Sequence, residues 1–61
     1  MDDLEAIRKL LPLARQKTKG SVDPLFDVIM DGEALLTGRP TLGGTTASTV
    51  RRWLEEAIER R

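Results

Sequence analysis

The chain contains no cysteine and no histidine. Without cysteine no disulfide can staple the fold, and a reducing cytoplasm is the expected setting. Without either residue the usual Cys/His zinc sites are excluded, and so are Ser-His-Asp triads. No nucleophile–base pair or metal cluster stands out, so an enzyme is not expected, nor a cofactor. The chain also lacks a long apolar run. Nothing approaches the roughly 18 residues that suggest a membrane span, so no membrane partner is expected. The first residues are acidic, where a secretory leader would need a positive region. Aromatics are scarce, with one phenylalanine and one tryptophan. The formal net charge is zero, which argues against a generic nucleic-acid-coating protein.

What is present is a short chain of 61 residues, enough for one domain near the lower size limit for unassisted folding. Its charges come in blocks of alternating sign. Residues 1–5 carry only acids, and 6–22 carry Arg8, Lys9, Arg15, Lys17 and Lys19. Residues 23–33 carry Asp23, Asp27, Asp31 and Glu33, and 34–54 carry Arg39, Arg51 and Arg52. Such blocks either let neighbouring helices attract one another or gather basic residues on one face.

The strongest periodic signal lies near the C-terminus. Val50, Trp53, Leu54, Ala57 and Ile58 follow the i, i+3, i+4, i+7, i+8 pattern of a helix stripe. Gly43 and Gly44 precede it, Thr45 or Thr46 can cap it, and Arg60 and Arg61 suit its C-terminal dipole. Near the N-terminus Asp2 or Asp3 can cap a helix with Leu4, Ile7, Leu11 and Ala14 along its stripe. Pro12 interrupts that helix at a cost of roughly 3 kcal/mol, so a bend is expected there. Gly20 supplies a stop.

Residues 23–37 admit two readings. Asp31-Gly32 suits a two-residue hairpin turn, which would give a helix–β-hairpin–helix α+β fold with the hairpin at 26–37. In outline that pattern resembles small phage head-joining proteins. As a helix, the segment places Leu25, Val28, Ile29, Gly32, Leu35 and Leu36 on one face. Asp23-Pro24 then forms the N-cap and first position, and Gly38 the stop. The hairpin leaves both faces mixed, so the helix fits better. Gly32 lands on the buried face, where it either suits close approach of another helix or of Trp53 or marks a break between two short helices.

The expected fold is all-α: a small three-helix domain spanning residues 1–61, with helices about 3–17, 24–37 and 46–60. Its expected core is Leu11, Ile29, Leu36, Val50, Trp53 and Ile58, with Trp53 the largest contribution. Residues 38–45 read as a loop, with Leu42 pinned to the core. That loop has two glycines and a proline, but neither the lysine nor the spacing of a nucleotide loop.

Residues 44–54, Gly-Thr-Thr-Ala-Ser-Thr-Val-Arg-Arg-Trp-Leu, resemble the turn and recognition helix of helix-turn-helix proteins, including excisionase-like regulators. A turn glycine, small polar residues, a buried aliphatic at Val50 and a further buried residue at Trp53 carry the resemblance. The preceding helix of that motif departs: Pro40 stands where an alanine is usual, and Gly43 where an aliphatic is. The resemblance implies a regulatory module that binds double-stranded DNA through the N-terminal half of the last helix. Thr46, Ala47, Thr49, Arg51 and Arg52 are its candidates for facing DNA. Thr45, Ser48 and Arg39 join them as nearby phosphate or base-edge donors.

A second surface points elsewhere. Phe26, Met30 and Ala34 form another stripe on the middle helix. Left uncovered, it would make the chain a protein-interaction or oligomerisation module, such as a docking domain, a phage assembly protein or a homodimer. Asp23, Asp27 and Asp31 also share a face. They could bind a divalent cation, although Lys or Arg from the first helix would satisfy them equally.

Overall fold

A computed structural model describes residues 2–60, the side chain of Leu42 excepted. The expectations for Arg61 and for the Leu42 side chain therefore lie outside the described residues. Three α-helices follow one another: α1 (Asp3–Lys17), α2 (Pro24–Leu36) and α3 (Ala47–Arg60). A 3-10 turn, Leu42–Gly44, interrupts the second connection. There is no strand among the described residues, so 26–37 is not a hairpin.

Local chemistry explains each boundary. Asp2 caps α1 by accepting the Glu5 N–H at 2.8 Å. The helix passes through Pro12 as one element, with Pro12 on its exposed side. It ends at Lys17, before Gly20: the Thr18 N–H bonds the Ala14 carbonyl, and Gly20 belongs to the turn that follows. Asp23 organises that turn. Its carboxylate accepts the Leu25 N–H and the Lys19 N–H, both at 3.0 Å, which opens α2 and closes the link from α1. Gly38 ends α2 with φ +75°, and the Arg39 N–H reaches back to the Ala34 carbonyl at 2.7 Å. With the Gly38 N–H on the Leu35 carbonyl, this is a Schellman closure, which favours glycine at that position.

The helices pack around Ile7, Leu11, Ala14, Leu25, Ile29, Val50 and Leu54, all buried. Gly32 lets α2 seat against α1: a Cβ there would stand 3.1 Å from Leu11 Cδ2 and 3.2 Å from Ile7 Cγ2. Close approach therefore comes from α1, not from Trp53. The expected core needs correcting at three places. Leu36 and Ile58 are half-buried, and Trp53 is 41% exposed. On α3 the fully buried pair is Val50 and Leu54. Trp53 lies 100° round the helix from Leu54, on the flank that faces α2, and so at the edge of the core.

Opposite charge blocks tie the helices together. Arg15 of α1 pairs with Glu33 of α2 at 2.6 Å. Arg51 of α3 donates to Asp3 of α1 at 3.0 Å. Lys17, at the end of α1, donates to the Ile58 carbonyl near the end of α3 at 3.1 Å. These last two contacts set α1 and α3 running in the same sense.

Candidate interaction surfaces

The first turn of α3 presents its polar side chains as a cluster. The Thr46 carbonyl accepts the Val50 N–H. The Thr46 hydroxyl lies 3.0 Å from that of Thr49 and 3.3 Å from that of Ser48. Thr46 and Ser48 are exposed, whereas Thr45 and Thr49 are half-buried. Arg52 is exposed on the outer face. Arg51 is not exposed as expected. It is half-buried between Asp3 and Glu55, at 3.0 and 3.5 Å. The hydrogen bond it donates to Asp3 and the charge of Glu55 raise its pKa above the ordinary arginine value. It is a bracket between α3 and the start of α1, where Asp2, Asp3 and Glu5 gather negative charge.

Arg39 is exposed, and the fold groups it with Met30, Glu33, Ala34 and Thr37 around a groove of about 200 Å³. Two of the basic residues of α1 are engaged away from the first turn of α3. Arg15 is held by Glu33, and Lys17 serves the far end of α3. Residues 37–46 separate α2 from α3. The turn of a helix-turn-helix uses about 3–4 residues.

The stripe of Phe26, Met30 and Ala34 is only partly open. Met30 is 48% exposed, whereas Phe26 and Ala34 are half-buried. The three aspartates of α2 have separate environments. Asp23 is buried as a cap, Asp27 is exposed and Asp31 is buried. No group of three acidic side chains suited to a metal ion occurs among the described residues. Nor is any described helix long and apolar enough to cross a membrane.

A surface that the periodicity did not single out lies between α2 and α3. An open groove of about 250 Å³ has Pro24, Leu25 and Val28 on one bank, with Trp53 and Ala57 on the other. Glu56 and Arg60 form its charged edge. Trp53 is the dominant feature. It is exposed, and it lines the groove across from half-buried Val28 and exposed Pro24. Val22, two residues before Pro24, is 88% exposed and extends the apolar surface past the end of α2. The groove between α1 and α2 is of different character. Arg8 and Arg15 edge it, and the Arg15–Glu33 pair bridges it.

Comparison with known families, curated proteins and solved structures finds no match to this chain.

Proposed function

We propose that the chain is a non-enzymatic protein-interaction module that docks a partner through the groove between α2 and α3. One observation carries this reading: the chain's only tryptophan stands 41% exposed on an apolar groove instead of filling the core. Tryptophan supplies large contact area at low entropic cost and is enriched among interface anchors. Paired helices with an apolar furrow suit an added helix, which would lay its own apolar side chains against Trp53 and Val28. The absence of histidine and cysteine from the sequence supports the non-enzymatic part.

An apolar probe tests the groove directly. Anilinonaphthalene sulfonate, titrated into the folded chain, should shift the amides of Val28, Trp53 and Ala57 and spare those near Met30. Shifts spread evenly over the surface, or confined to Met30 and Ala34, would overturn the choice of groove.

A second reading, DNA binding by the start of α3, has its own support. Arg39 and Arg52 are exposed and form no ion pair among the described residues. Thr46 and Ser48 stand exposed at the positive end of the helix. Against it, Arg51 is engaged by Asp3, and acids surround the start of α1. A duplex titration at two salt concentrations separates the two readings. Phosphate contacts would appear as a log–log slope of about −0.9 per phosphate. The docking reading expects no salt-dependent binding.

A further inference from the structure

We draw no further inference here: the strongest candidate, the open apolar groove between α2 and α3 with Trp53 on its bank, belongs to the docking surface already described, and with Glu56 and Arg60 balancing each other on its charged edge nothing in the structure shows what covers it.

Discussion

Replacing Gly32 with alanine sets two effects of similar size against each other. Glycine inside a helix costs about 1 kcal/mol relative to alanine, so propensity alone favours the change. The new Cβ, however, would stand 3.1 Å from Leu11 Cδ2 and 3.2 Å from Ile7 Cγ2. Comfortable carbon contacts are about 3.5–4.0 Å. Leu11 can respond, because Cδ2 is the far end of a flexible side chain. Ile7 cannot. Its Cγ2 branches from Cβ, its χ1 is largely fixed in a helix, and the residue is fully buried. Relief requires α1 to retreat, at the usual overpacking cost of about 1–3 kcal/mol.

The expected net effect of Gly32→Ala is a loss of about 1 kcal/mol, seen as a melting temperature about 4–8 °C lower. Ile7→Leu removes the offending Cγ2 at similar volume and should cost less than about 1.5 kcal/mol alone. In the double variant the clash is gone and the propensity gain remains. The two substitutions should then be non-additive by about 1 kcal/mol in the favourable direction. Urea unfolding of the four proteins, followed by circular dichroism, measures this cycle. A Gly32→Ala variant stabilised by the full 1 kcal/mol or so, additive with Ile7→Leu, would refute the seating of α1 on Gly32. Gly38→Ala is the contrasting control. Nothing lies within 4 Å of its added Cβ, yet its φ of +75° should still cost about 1 kcal/mol.

Two other outcomes follow from the same packing. Leu54→Ala, at a fully buried site, should cost about 3–5 kcal/mol. Trp53→Ala, at an open groove where no closed cavity remains, should cost distinctly less; a larger loss for Trp53 in denaturant titration would return it to the core. Arg51→Ala should lower the melting temperature in the native background but not in an Asp3→Ala, Glu55→Ala background, and less in about 1 M salt. Because the Arg51 pKa is raised, its contribution is complete below the ordinary arginine range and is lost only as pH climbs past it. The difference between Arg51→Ala and the unmodified chain should stay level from about pH 7 to about pH 10.

Helix limits were legible because short-range chemistry writes them. Asp23-Pro24 and Gly38 each act within a few residues, and both bracket α2 as their types require. Gly32 was legible only as either a close approach or a break between two short helices; α2 runs through it unbroken, and the close approach is what the fold uses. Which element would approach it was not legible, because that depends on residues 7 and 11, two dozen positions away. Gly20 misled for a related reason. A glycine beyond a basic last turn suits a helix stop, but the Asp23 carboxylate claims the Lys19 N–H and draws Gly20 into the capping turn of the next helix.

The two largest departures, at Trp53 and Arg51, share one cause. A stripe through Val50, Trp53, Leu54, Ala57 and Ile58 fixes a buried face only to within its own width. Centred on all five, it buries Trp53 and leaves both arginines outside. In the fold the centre lies at Val50 and Leu54, with Ala57 and Ile58 half-buried beside it. Helix α3 is thus turned slightly away from Trp53. That turn carries the indole out onto the α2 flank and opens the groove there. It also carries Arg51, on the opposite flank, inward toward Asp3. Arg52 is 100° further round and stays outside. The DNA and docking readings are therefore not independent choices. The rotation that takes one of the two expected DNA-facing arginines is the rotation that exposes the tryptophan.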